Sequence, residues 1–162
     1  MSHEKEQLVE YIQDAHAMEA NVSRMLDSMI GTTDDPEIRG ELEHHKEETE
    51  RHKQLLAERL EAHGEDTSTV KDIAAHGGAF MKGLVDFARS EKPAKNARDG
   101  FVTEHLEIAS YELLERWAKR AGDEATAKVA RRNRADEEAM AEKIAANWDK
   151  FVDLTVREHA TA

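Results

Sequence analysis

Each of the four longest amphipathic stretches in this 162-residue chain carries glutamate on the stripe where a buried helix face calls for hydrophobes. The pattern is densest in residues 37–60, EIRGELEHHKEETERHKQLLAERL. There Ile38, Leu42, Leu55 and Leu56 mark the apolar stripe, and His45, Glu48 and His52 occupy its middle. At roughly 100° per residue these three fall within about 60° of one another around the helix axis. Titratable groups so placed are costly to bury unless they are paired or bound to metal. The chain must therefore fold so that its stripes meet around something that satisfies the charge.

Helical periodicity runs through the rest of the sequence. The spacing predicts a first helix over about 4–30, with Leu8, Ile12, Ala15, Val22, Leu26 and Met29 on one face and Glu19 between Ala15 and Val22. Asp35-Pro36-Glu37 reads as an N-cap with proline at the first helical position, opening a second helix over about 36–62. A further segment, about 68–90, is interrupted by Gly77, Gly78 and Gly83 and is expected to be a kinked crossover helix. After Lys92-Pro93 come a helix over about 94–121, with Phe101, Glu104, Ile108, Tyr111, Leu114 and Ala118 on one face, and a helix over about 123–158. The stripe of the last is Ala130, Arg134, Glu137, Ala141, Ile144, Trp148 and Phe151. No alternating strand pattern or hairpin signal interrupts this order. Two helical hairpins joined by a long connection, with acid on every bundle stripe, predict an all-α fold: a single ferritin-like four-helix bundle with a crossover helix.

Composition narrows the function classes. There is no cysteine, so thiolate metal sites, disulfides and cysteine nucleophiles are excluded. A formal charge of -12 argues against a nucleic-acid partner and against attraction to anionic membranes. Residues 1–8, MSHEKEQL, show no apolar signal core, and no run of about 18 apolar residues occurs, so the expectation is a cytoplasmic protein. Nine histidines and abundant carboxylates leave nitrogen- and oxygen-ligated metals as the accessible chemistry.

The inward acids are Glu19, Glu48, Glu104 and Glu137, with His45 one turn before Glu48 and Glu107 one turn after Glu104. Carboxylates facing one another repel unless some stay protonated or a cation lies among them. In carboxylate-bridged di-metal bundles, a Glu from each of two helices joins a Glu-x-x-His from each of the other two. This chain departs from that template. The stripe of the second helix reads His45-x-x-Glu48 in reverse order, Glu41-x-x-His44 lies off it, and the last helix has Met140 where a histidine would stand. Nitrogen on that side is missing unless His105 supplies it, although His105 points about 100° away from the stripe. His52 reads as a buried polar residue or a support to the ligands. Tyr111 reads as a core tyrosine whose hydroxyl reaches a carboxylate or water. Arg134 is placed to pair with Glu137.

Several strings resemble one family. Asp14-Ala15-His16-Ala17-Met18-Glu19 resembles its first-helix D-x-x-x-x-E, and His45-Lys46-Glu47-Glu48-Thr49 resembles its H-x-E-E-T. Glu104-His105-Leu106-Glu107-Ile108-Ala109-Ser110-Tyr111 is similar to its E-H-x-E-I-A-S-Y almost letter for letter, and Glu137 falls at its last acidic motif. The family is the YciE/YciF-like group of ferritin-like stress proteins, and the resemblance spans roughly residues 5–150. It implies a ferritin-like fold, a homodimer, a two-metal site and a link to stress response. By position it implies Glu19, His45, Glu48, Glu104, Glu107 and Glu137 as metal ligands.

The function expected is binding of two divalent ions, iron first and manganese second, with ferroxidase or peroxide-detoxifying activity. No separate acid, base or nucleophile is evident. The alternative is a non-enzymatic structural or partner-binding stress protein with a metal-free polar core. A ferritin-type storage shell fits less well, because no short helix follows the bundle.

Overall fold

The structure, a computed structural model, describes residues 2–65 and 93–161, and over these it is helical with no strand. The helices are α1 (His3–Gly31), α2 (Pro36–Ala62), α3 (Pro93–Ala121), α4 (Glu124–Ala145) and α5 (Trp148–Thr161). The crossover helix expected at 68–90 lies outside the described residues.

Local chemistry explains the boundaries. Asp35 Oδ1 accepts from the Glu37 and Ile38 amides at 3.1 and 3.0 Å, and Pro36 sits where no intrahelical N–H is needed. Gly122, at φ 75°, gives the left-handed turn that ends α3 and delivers Asp123 as the N-cap of α4. Asp123 also gathers Thr126 N at 3.0 Å, Arg59 Nη2 at 3.1 Å and His63 Nε2 at 2.8 Å, joining the end of α2 to the start of α4. Burial alone would raise its carboxyl, but the Thr126, His63 and Arg59 contacts prevail and hold it below the usual carboxylate range. Its contribution is therefore complete above its ordinary value near 3.8 and lost as the pH falls further. Asp123→Ala is expected to cost about 1–2 kcal/mol in chemical denaturation at neutral pH, an effect that shrinks in acid.

α1 lies along α2, α3 along α4, α1 against α3 and α2 against α4. Each neighbouring pair is antiparallel. Glu50 of α2 meets Ser23 of α1, Met25 of α1 meets Thr103 of α3, Asn133 of α4 meets Tyr111 of α3, and Lys143 of α4 meets Glu41 of α2. α2 and α3 consequently run parallel, and α3 begins at the end of the bundle opposite to where α2 stops.

The interior has three levels. One apolar cluster holds Leu8, Ile12, Leu56, Leu60, Leu114 and Ala130 among others. A second, at the opposite end, holds Val22, Met25, Leu26, Met29 and Leu42. Each such large aliphatic side chain contributes about 1.5–3 kcal/mol by leaving water. Between them lies a buried polar level made of Glu19, His45, His52, Glu104, Glu107 and Glu137.

The buried stripes advance in steps of three or four residues: 8, 12, 15, 19, 22, 26 in α1 and 42, 45, 49, 52, 56, 60 in α2. In α3 they run 100, 104, 107, 111, 114, 118, and in α4 130, 133, 137, 141, 144. This is the narrow seam of left-handed bundle packing. It shifts several positions by one residue from the sequence reading. Thr49 rather than Glu48 lies on the α2 seam, Glu107 rather than Ile108 on that of α3, and Asn133 rather than Arg134 on that of α4.

The single helix expected over 123–158 is two. The Asn147 side-chain amide donates to the Lys143 carbonyl at 2.7 Å, taking an acceptor that the helix would otherwise use. α5 then leans on α3: Trp148 stacks edge-on against Phe101 at 5.4 Å, and the Ala94 amide donates to Thr155 Oγ1 at 3.0 Å. Among the described residues no helix is long and apolar enough to cross a membrane.

Candidate metal centre

α2 sends two imidazoles into the polar level, seven residues and two turns apart. His45 Nε2 lies 3.2 Å from Glu104 Oε1 and 3.5 Å from Glu137 Oε2, while its Nδ1 is 3.2 Å from Glu48 Oε2. His52 Nδ1 lies 3.2 Å from Glu19 Oε1 and 2.8 Å from Glu137 Oε1, while its Nε2 is 3.0 Å from Asp136 Oδ2. The same motif thus occurs twice: an outer carboxylate on one ring nitrogen, buried carboxylates at the other. The Tyr111 hydroxyl donates to Glu19 Oε1 and accepts from Asn133 Nδ2 at 3.1 Å.

Ligand-type atoms converge in two groups. One atom each from His45, Glu104, Glu107 and Glu137 lie within 4.8 Å of one another, as do atoms from Glu19, His52 and Glu137. Glu137 belongs to both. The hydrogen bonds at this level are incomplete: Glu19 Oε2, Glu104 Oε2 and both oxygens of Glu107 are buried without a partner, and Glu137 and His45 Nε2 meet only the ion-pair contacts just given. A buried carboxylate oxygen without a donor is expensive, and so many converging in one layer is the donor set a cation requires. The residues fit the metal reading on charge as well. Four carboxylates and two neutral imidazoles balance two divalent ions, and hard oxygen with imidazole nitrogen suits iron and manganese.

Without an ion, protons do the balancing. Burial, reinforced by neighbouring carboxylates, pushes Glu107 well above the usual range and raises Glu19 despite its bonds from His52 and Tyr111. Burial likewise pushes Glu104 up to about 7, against the pull of His45. Burial disfavours charge on the two rings, but Glu104, Glu48 and Glu137 raise His45 to about 11, and Glu137 and Glu19 raise His52 to about 10. Buried beside Glu19, Tyr111 is pushed well above 10 and stays a neutral donor.

The structure brings together five of the six residues singled out in sequence: Glu19, His45, Glu104, Glu107 and Glu137. Glu48 stands apart, with its side chain 18 % exposed and bonded to His45 Nδ1. His52, set in a supporting role by the sequence reading, is fully buried at the centre. The signal for it was present: it stands seven residues after His45 on the same seam. His105 is exposed, packs edge-on against Phe101 at 4.4 Å and belongs to neither donor group. Arg134 does not pair with Glu137. It meets Glu112, Glu115 at 2.9 Å and Glu138 at 3.5 Å, because Asn133 takes the inward position. Asp136 was missed altogether, and only the packing of α4 on α2 brings it to His52.

The fold has solved counterparts. A protein from Xanthomonas campestris aligns with TM-score 0.78 and 24% identity, covering 98% of this chain and 99% of that one. The Escherichia coli stress protein YciF aligns with TM-score 0.79 and 22% identity, covering 94% of this chain and 99% of that one. The family model described as a domain of unknown function, DUF892, matches residues 3–157. The motifs on α1, α2 and α3, the bundle they build and this match over nearly the whole length agree: the chain belongs to the DUF892, or YciE/YciF-like, family.

Proposed function

We propose that this chain is a ferritin-like protein that holds two divalent ions, iron or manganese, and serves in a stress response. The observation that carries the reading is the pair of buried donor groups sharing Glu137, with unpartnered oxygens turned inward. The parallel run of α2 and α3, which a ferritin-like bundle also has, supports the architecture. The likeness to a protein described as a stress protein supports the physiological setting.

His45 would ligate through Nε2 with Glu104, Glu107 and Glu137. His52 would ligate through Nδ1 with Glu19 and Glu137. Bound iron or manganese would supply one-electron chemistry toward oxygen or peroxide, the basis for a ferroxidase or detoxifying activity. The protein's share is positional. Glu48 accepts the His45 Nδ1–H and Asp136 the His52 Nε2–H, which fixes each tautomer with its free nitrogen turned inward. Tyr111 holds one oxygen of Glu19 and leaves the other free. Apolar clusters on either side lower the polarity around this level, which strengthens the charge interactions within it.

Anaerobic Fe(II) titration tests this directly. Two equivalents per chain are expected, and no uptake would sink the reading. Glu48→Ala and Asp136→Ala should each weaken binding by about 10–100-fold without changing the stoichiometry, since each removes an orienting partner rather than a ligand. Isothermal titration with Mn(II) measures both.

The contrary reading is a metal-free structural protein whose core is closed by the His45 and His52 ion pairs, which are already formed. It requires a melting temperature indifferent to chelator. The homodimer expected from the family resemblance belongs to the same proposal, and sedimentation equilibrium tests it.

A further inference from the structure

A cavity of about 460 Å³ opens at the end of the bundle where α1 stops and α3 begins. Its walls are apolar: Met25, Met29, Leu42, Met140, Ile144 and Phe151. Its volume falls in the ~300–1,000 Å³ range of small-molecule sites. Thioether side chains, unbranched and polarizable, adapt to the shape of what they hold.

Two details make this more than a packing gap. Glu104, only 1% exposed, is among the residues that line the cavity, while its carboxylate belongs to the ion-binding level. One turn earlier stands Gly100, where an added Cβ would meet only Ile144 Cδ1, at 3.5 Å. A larger residue there would grow into the space. The cavity therefore runs from the bundle end to the side chain of Glu104, the first residue of the ion-binding level on that side.

The rim decides the charge of the occupant. Lys143 already pairs with Glu41 at 2.5 Å and Lys150 with Glu37 at 2.6 Å, and Arg157 is engaged as well, so an anionic head finds the rim cations taken. The acids of those pairs are equally engaged and Asp34 lies exposed to water, so a cationic head gains little at the rim. Inside, an unpaired charge of either sign would be desolvated among thioethers and hydrocarbon.

We propose that this cavity binds a neutral, elongated apolar molecule, such as a long-chain alcohol, lying along its apolar wall from the rim toward Glu104. Its occupancy does not depend on the metal reading. Only the consequence, an organic molecule held beside the ions, rests on that reading.

The test uses the full chain in chelator, with the neutral fluorophore N-phenylnaphthylamine as probe. Its fluorescence should rise to saturation at one equivalent per chain and be displaced by dodecanol. Dodecanoate and dodecylammonium should need roughly tenfold more or higher. Gly100→Leu and Ala97→Leu should abolish the signal. The first exchange also improves helix propensity, and circular dichroism with a melting curve checks that both variants are folded. No saturable signal with the wild-type protein overturns the proposal. So does undiminished binding by both folded variants, or displacement by either charged chain as effective as by dodecanol. Because metal is absent throughout, a failure here leaves the Fe(II) titration as the judge of the ion site, and a failed titration leaves this site standing.

Discussion

Glu137→Gln will yield a folded protein that binds neither ion, with affinity reduced by more than about 100-fold at both positions. That exceeds the ~10–100-fold lost with an orienting partner, because Glu137 alone belongs to both donor groups. The effect on metal-free stability should be small. In chelator, Glu137 adds to the burial that raises Glu19, Glu104 and Glu107, but it also holds the protonated His45 and His52. An uncharged amide of the same shape relieves the repulsion and loosens that hold, so the metal-free melting temperature should change little while the stabilisation by Mn(II) disappears. Loss of the metal-dependent gain alone is what distinguishes a site organised for cations from one organised for its own cohesion. Were Glu137 there to close ion pairs with His45 and His52, the same substitution would strand two buried cations and lower the melting temperature. Mn(II) titration combined with differential scanning calorimetry reads both quantities on one sample.

The second large effect is a reversal of pH dependence on metal loading. In chelator, Glu104, pushed up to about 7, and the raised Glu19 and Glu107 keep protons in the folded state that the unfolded chain gives up near 4.5. A folded state that binds more protons loses stability as the pH rises. His45 and His52 act with the same sign in a higher window. Raised to about 11 and about 10, they contribute stability that is complete below 6.5 and lost as the pH climbs through those values. The metal-free melting temperature should therefore fall steadily between pH 5 and pH 8. Ions require deprotonated carboxylates and neutral imidazoles, so they bind better as the pH rises and release protons when they do. At a free ion concentration one hundred times Kd, the gain is about 2.7 kcal/mol per ion, roughly 10–20 °C for two ions on a domain of this size. That gain should shrink toward pH 5. A melting temperature in chelator that rises from pH 5 to 8, or a metal shift independent of pH, would contradict the assignment.

Much of this centre is legible in the sequence because helices announce their buried faces. Glu19 stands between Ala15 and Val22 with no freedom to be elsewhere than on the α1 seam, and the structure puts it there, fully buried. The hairpin turns are equally local. Asp35-Pro36 and Gly122-Asp123 carry their cap chemistry in adjacent residues, and both helices start where those residues dictate. The break at Asn147 was local too, but the signal is faint. One side-chain amide competing for one carbonyl decides it, and the apolar period runs on through Trp148 and Phe151 as though nothing happened.

What periodicity alone determined was the fold class, the number of acid-bearing helices and the approximate height of the polar level. What only the tertiary structure decided was phase and partnership. At about 100° per residue, positions three and four apart lie almost equally close to any chosen direction. A single helix therefore cannot say whether Glu48 or Thr49, Arg134 or Asn133, faces inward. The neighbouring helices say it, by packing their seams at steps of three or four. The same packing turns His52 from a support into a donor and gives it Asp136, a residue 84 positions away on α4. It also makes Glu137 common to two groups, a property that belongs to the place where four helices meet and to no one of them.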